Sequence, residues 1–255
     1  MVRGIGRWSC LLGSILFGFA CGAGAESDEE EILVSAAASL REVISKSSEL
    51  FQKAHPGVRL QLNFASSGAL RQQIEVGSPV DVFVSAATEH VDRLSDLGLV
   101  RAEDRRVFAR NRLVLLGATD EVRSLRDLES PAVTRVAMGD PRSVPAGTYA
   151  RQWLAAEGLW PAIEEKTVLG GDVRQVLSYL ERGEVDAAIV YATDAKLVRL
   201  EPVVIASGRQ APEVVYEAAL IHRDGEARPA ARQFFDYLTS ESVVRQLEAA
   251  GFLAP

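Results

Sequence analysis

The sequence predicts an α/β protein with mixed, mostly parallel sheets, helices on both faces, and two similar units joined by a pair of crossing strands. Three observations carry this expectation. Apolar, strand-like runs at 32–36, 58–64, 80–85 and 134–138 are each followed by a segment of helical period. Glycines close the successive helical segments at Gly77, Gly98, Gly158 and Gly183. Two further apolar runs, near Leu113 and Tyr216, fall where the pattern divides, so each is expected to cross between lobes and form a hinge. The expected boundaries are 26–112 with 217–255 for lobe I, 113–216 for lobe II, and 1–25 for a leader.

Taken in order, the run 32–36 leads through Ala37-Ala38-Ser39 into a helix with Leu40, Val43, Ile44, Ser47, Leu50, Phe51 and Ala54 on one face. Ser39 and Glu42 have capping-box spacing, and His55-Pro56-Gly57 stops the helix. The alternating run 58–64 is followed by Ala65-Ser66-Ser67-Gly68, which opens a helix through Leu70 and Ile74. After the strand 80–85 comes a helix with Val91, Leu94 and Leu97. The run 113–116 is short. The strand 134–138 runs into Gly139-Asp140-Pro141-Arg142-Ser143-Val144-Pro145-Ala146-Gly147, where the prolines remove backbone donors and Ala146 and Gly147 leave the helix start almost bare. A weak strand near 167–169 precedes Gly170-Gly171-Asp172-Val173, which starts an amphipathic helix with Val176, Leu177 and Leu180. The strand 185–191, apolar runs at 203–205 and 214–221, and helices at 228–238 and 241–249 complete the chain, with the final helices expected to return to lobe I.

The leader has Arg3 and Arg7, an apolar stretch from Cys10 to Ala20, and a small-x-small site at Ala23-Gly24-Ala25. It reads as an export signal cut after Ala25, placing the mature protein in the periplasm. Cys21 offers a lipid anchor as the lesser reading, because Gly18 and Phe19 make a poor lipobox. Both cysteines, Cys10 and Cys21, fall in the leader, so the mature chain is expected to have no disulfide, thiolate metal site or thiol nucleophile. Without Arg3 and Arg7, 35 acidic residues face 26 basic ones, a net charge of −9 that argues against nucleic acid or an anionic membrane as partner. The chain is expected to act as a monomer.

Candidate chemistry is sparse. Ser35, Ser39, Ser66 and Ser67 lie near strand ends, and the histidines are His55, His90 and His222, so a secreted serine hydrolase is one reading; no nucleophile-elbow motif supports it. Metal-ligand spacings, dinucleotide fingerprints and P-loops are absent from the sequence, so neither a metal cofactor nor a nucleotide is expected. The second reading is anion capture. A bare helix start presents unpaired amides and the positive end of the helix dipole, and a serine there can cap its helix while donating its proton outward. Singly, each serine reads as a plain N-cap and Tyr191 as a half-buried aromatic; several such starts at strand ends favour a site.

Ala36-Ala37-Ala38-Ser39-Leu40, Phe64-Ala65-Ser66-Ser67, Asp81-Val82-Phe83-Val84-Ser85-Ala86, Gly139-Asp140-Pro141 with Val144-Pro145-Ala146-Gly147, Asp172-Val173-Arg174, and Ile189-Val190-Tyr191 with Asp194-Ala195 occur in that order along the mature chain. Together they resemble the periplasmic molybdate-binding proteins of ABC importers. The resemblance implies a two-lobed type II periplasmic-binding fold, no enzymatic activity, a membrane permease as partner, and molybdate or tungstate as ligand. On matching positions it implies donation from the hydroxyl and amide of Ser39 and of Ser67, the amides of Ala146 and Val173, and the hydroxyl of Tyr191. Gly68 stands where that family commonly has a third serine, a departure expected to alter loop flexibility more than the donors. These dianions carry no proton at neutral pH, so a pocket lined only by donors suits them and disfavours hydrogen phosphate. Another tetrahedral oxyanion such as sulfate is the alternative ligand. The ligand-sensing domain of a regulator is disfavoured by the leader and the lack of a DNA-binding segment.

Overall fold

A computed structural model of the protein describes residues 29–223 and 225–255. The leader, with its cleavage site and both cysteines, lies outside the described residues. Along the chain run β1 (Glu30–Ala37), α1 (Arg41–Ala54), β2 (Val58–Ala65), α2 (Ser67–Glu75), β3 (Val82–Ser85), α3 (Thr88–Asp96), β4 (Arg105–Asn111), β5 (Leu113–Gly117), β6 (Val136–Gly139), α4 (Pro145–Ala156) and α5 (Trp160–Ile163). There follow β7 (Thr167–Gly170), α6 (Val173–Glu181), β8 (Ala187–Tyr191), α7 (Ala192–Val198), β9 (Val204–Ile205), β10 (Val214–Leu220), α8 (Pro229–Tyr237) and α9 (Glu241–Ala250). None of the described helices is long and apolar enough to cross a membrane.

The strands form two five-stranded sheets, ordered β2-β1-β3-β10-β4 and β7-β6-β8-β5-β9. In each, three neighbouring strands are parallel, the fourth (β10 or β5) runs antiparallel to both its neighbours, and the edge strand beyond it (β4 or β9) runs in the same direction as the first three. The inner parallel strands β3, β6 and β8 and the carboxyl end of β1 read as nearly continuous apolar runs because helices cover both sheet faces, whereas the edge strand β2 alternates. Beside the first sheet, Leu70, Ile74, Val91 and Leu94 of α2 and α3 pack with Phe83 and Ala219. On its other face, α1 and the closing helices bring Phe51, Phe234 and Phe235 into the main core. The return of α8 and α9 to this sheet therefore has an apolar cause: each carries its buried residues on a single face.

The crossings differ in detail from the sequence expectation. The chain passes from β4 in the first sheet to β5 in the second through Arg112 alone. On the return, β10 lies entirely in the first sheet, so the passage falls in 206–213 rather than at Tyr216. β4 itself has no counterpart among the expected elements. Its register against β10 jumps at Tyr216/Glu217, a bulge that lets Phe108 and Ala109 both be buried and erases the two-residue alternation.

Candidate functional site

All the helix starts singled out above lie beyond the carboxyl ends of parallel strands, the place where open α/β sheets gather ligands. Ser39 follows β1, Ser67 follows β2, Ala146 follows β6, Val173 follows β7, and Tyr191 ends β8. The structure brings all five to the lining of one cavity between the two sheets. Its free space is ≈ 10 Å³, about that of a single water-sized sphere. Ser39, Ser67, Ala146, Val173 and Tyr191 are each at most 3% exposed.

Local sequence explains how each group is presented. At α4, Pro145 occupies the first turn, no side chain caps the helix, and Ala146 adds little bulk over its own amide. Gly147 is needed for a different reason: a Cβ there would lie 2.0 Å from the Gly139 carbonyl oxygen, so the helix start rests directly on β6. At α6 the Asp172 carboxylate accepts from the amides of Arg174 and Gln175, at 2.8 and 3.0 Å, and leaves the preceding Val173 amide to the cavity. The carboxylate of this lining residue is thus spent on its own helix.

The serines depart from the expected capping roles. Ser39 sits in a short 3-10 turn ahead of α1, whose start has no side-chain cap. Its Oγ lies 2.9 Å from the Tyr216 hydroxyl, and Glu42 turns instead to Arg174 at 2.5 Å. The capping box fails because both partners have stronger tertiary ones. Ser67 Oγ accepts from the Ala86 amide at 2.9 Å, which leaves its own proton for another acceptor. Ser66 lines the cavity but makes no side-chain cap. Tyr191 Oη is buried and makes no hydrogen bond of ordinary geometry among the described residues, although the Tyr216 hydroxyl is close enough to act on it. Burial, reinforced by Tyr216, pushes this phenol well above its ordinary range, so it stays protonated as a donor.

Among the described residues, no lysine or arginine lines the cavity. The adjacent guanidinium, that of Arg174, reaches the Ser39 carbonyl at 3.3 Å, Glu42 at 2.5 Å and Asp194 at 3.3 Å. Asp194 Oδ2 accepts from the Tyr191 amide at 3.1 Å. Burial pushes the Asp194 carboxyl up to about 6 against the opposing pull of Arg174. Gly68 crosses between the sheets: its amide donates to the Ser143 carbonyl at 3.0 Å, and a Cβ would meet that oxygen at 2.5 Å. Its role is therefore a close approach rather than loop flexibility.

The hydrolase reading finds no such assembly. His55 stacks on Phe51 with ring centroids 4.1 Å apart, and His90 is pushed down to about 4 chiefly by burial. His222 pairs with Asp104 at 2.7 Å, and Arg232 holds the other carboxylate oxygen. None of the three lines the cavity. Among the described residues, no group of three or more His, Cys, Asp or Glu could hold a metal ion.

A bacterial extracellular solute-binding protein family profile matches residues 32–253. The chain belongs to this family. Within it, this solute-binding protein is 32% identical over 251 residues to a protein of Haemophilus influenzae (strain ATCC 51907 / DSM 11121 / KW20 / Rd) named molybdate-binding protein ModA, covering 96% of this chain and 95% of that one. It is 31% identical over 254 residues to the Escherichia coli (strain K12) protein of the same name, covering 96% and 98%. Its fold matches the solved Azotobacter vinelandii periplasmic molybdate-binding protein with a TM-score of 0.77 at 23% identity, over 88% of this chain and 99% of that one. Tyr216 and Asn111 were not identified as site neighbours from sequence, because each joins through contacts between distant segments.

Proposed function

We propose that this solute-binding protein captures molybdate, and tungstate with it, and presents the loaded form to the permease of an ABC importer. The observation that carries the reading is the Tyr191 hydroxyl, buried at the cavity without a partner. Leaving such a group unsatisfied costs about 1–3 kcal/mol, so a ligand that accepts from it recovers that cost. The other donors are the hydroxyls of Ser39 and Ser67 and the amides of Ala146 and Val173. The relatives' names point to the same ligand.

A fully deprotonated tetrahedral dianion matches donors without a cation. Charge-assisted hydrogen bonds contribute about 1.5–3 kcal/mol each and a well-aimed helix terminus up to about 2, against an association cost of about 4–15. Residues 29–111 with 214–255 act as lobe I and 113–205 as lobe II, closing over the anion about Arg112 and 206–213. One chain supplies every donor, so a monomer suffices. Export through the leader puts the protein outside the cytoplasm, where the permease meets it.

Thermal unfolding of the anion-free protein tests this, with molybdate, tungstate, sulfate and phosphate added separately. A ligand that binds only the folded state stabilises it by RT ln(1 + [L]/Kd). A large shift with molybdate and tungstate and little with the others is expected. A shift with sulfate alone would reassign the ligand, and no shift with any anion would leave the helix starts as plain caps.

A further inference from the structure

We propose that Tyr216 is a positioning residue for this cavity: held by Asn111, its hydroxyl donates to Ser39 Oγ and turns the Ser39 proton inward, so that Ser39 can only donate to what binds. The inference deepens the oxyanion reading and rests on it.

The direction of the relay follows from its far end. Asn111 Oδ1 accepts from the Arg112 amide at 2.9 Å, which orients the side-chain amide and turns Nδ2 the other way. Nδ2 donates to Thr193 Oγ1 at 3.0 Å and, at the longer distance of 3.5 Å, to Tyr216 Oη. With that lone pair occupied, the Tyr216 proton is free for Ser39 Oγ at 2.9 Å. Tyr216 is fully buried, and burial drives its phenol far above the ordinary range, so the proton stays on it. Its ring is locked against Phe252, edge-on at 5.4 Å, and against Tyr191 at 5.8 Å.

Ser39 Oγ has no other side-chain partner among the described residues. Accepting from Tyr216, it has its own proton left, and it lines the cavity. Ser67 reaches the same polarity by accepting from the Ala86 amide. The two serines are thus made one-way donors by different devices, a backbone amide for one and a side-chain relay for the other. The consequence is specificity. An oxyanion with a proton of its own, hydrogen arsenate or hydrogen phosphate, needs an acceptor, and Tyr216 occupies one of the two Ser39 lone pairs and turns the Ser39 proton, in place of a lone pair, toward the cavity.

The test is calorimetric titration of the purified protein with sodium molybdate and with hydrogen arsenate, for wild type, Tyr216→Phe, Ser39→Ala and the double variant. Phenylalanine keeps the ring packing and removes the donor. Molybdate affinity is expected to fall about tenfold while arsenate affinity holds or rises, so the preference for molybdate drops at least about tenfold. On the Ser39→Ala background the Tyr216 change should alter molybdate affinity less than about twofold. An unchanged preference in Tyr216→Phe, or an equal loss with and without Ser39, overturns the proposal alone; a wild type that does not bind molybdate overturns the oxyanion reading with it. If Tyr216→Phe does not fold, Asn111→Leu answers the same question. Freed of its donor, Tyr216 can accept from Ser39, so the preference should again fall, and an unchanged preference overturns the proposal.

Discussion

Tyr191 places stability and binding in opposition at one atom. Its hydroxyl is buried without a partner, so Tyr191→Phe should raise the stability of the anion-free protein by about 1 kcal/mol and weaken molybdate binding about tenfold or more. Thermal unfolding with and without molybdate reads both effects; a variant that loses stability and keeps affinity would remove Tyr191 from the donor set. Asp194 gives a pH signature. Its folded carboxyl lies near 6 against an ordinary 3.8, raised chiefly by burial. The folded state therefore binds the proton more tightly, and this group's contribution to stability is greatest below about 4 and is lost as pH rises through about 6. Replacing it with asparagine removes that dependence. Urea unfolding at pH 4, 5, 6 and 7 should find wild-type stability falling relative to Asp194→Asn across this window, by up to about 3 kcal/mol, and level above it. The family resemblance named the Tyr191 hydroxyl as a donor, but its lack of a partner and the raised Asp194 carboxyl were not legible in the sequence, where Tyr191 taken singly read as a half-buried aromatic and Asp194 as part of a motif. Orphaned hydroxyls and desolvated carboxyls are products of the environment.

Among the elements, the helix starts were the most legible and the cross-contacts the least. Pro145-Ala146-Gly147 and Gly171-Asp172-Val173 announce bare amides because capping is local chemistry, decided within a few residues. The Ser39–Glu42 capping box was wrong for the converse reason: Tyr216 and Arg174 claim these side chains from far along the chain. β4 escaped notice because its bulge breaks the alternation and its arginines mask the buried Phe108 and Ala109. Gly68 at the start of α2 carries the prediction for this scale. Its Cα faces the Ser143 backbone so closely that a methyl group would contact the carbonyl oxygen at 2.5 Å and Cα at 2.8 Å. Gly68→Ala should leave the anion-free fold as stable as before or more so, since alanine suits a helix. Forcing the sheets apart at that point should weaken molybdate binding by about 1–3 kcal/mol, seen as faster dissociation in stopped-flow measurements. Unaltered dissociation would mean that the Gly68–Ser143 contact plays no part in retention.

At the scale of the whole molecule, the two sheets are linked covalently through Arg112 and 206–213, and they meet again through polar contacts between segments of the two sides. The Gly68 amide on Ser143, Arg174 on Glu42 and the Ser39 carbonyl, and Lys196 Nζ on the Ala249 carbonyl at 2.7 Å all join one side to the other. The Arg174–Glu42 and Lys196 contacts are made by exposed or part-exposed side chains and separate at little cost, which suits a closing motion driven by ligand. Small-angle scattering should therefore register a smaller radius of gyration on saturation with molybdate; an unchanged radius would refute closure. The sequence by itself determined the alternation of strands and helices, the helix starts that could present amides, and an acidic surface unsuited to nucleic acid, because periodicity, capping residues and charge are local or additive properties. Tertiary structure alone decided that five of those groups share one cavity, which lone pairs are already occupied, and where the sheets touch. Those facts depend on pairs such as Ser39 with Tyr216, 177 residues apart, whose encounter is set by the packing of whole sheets.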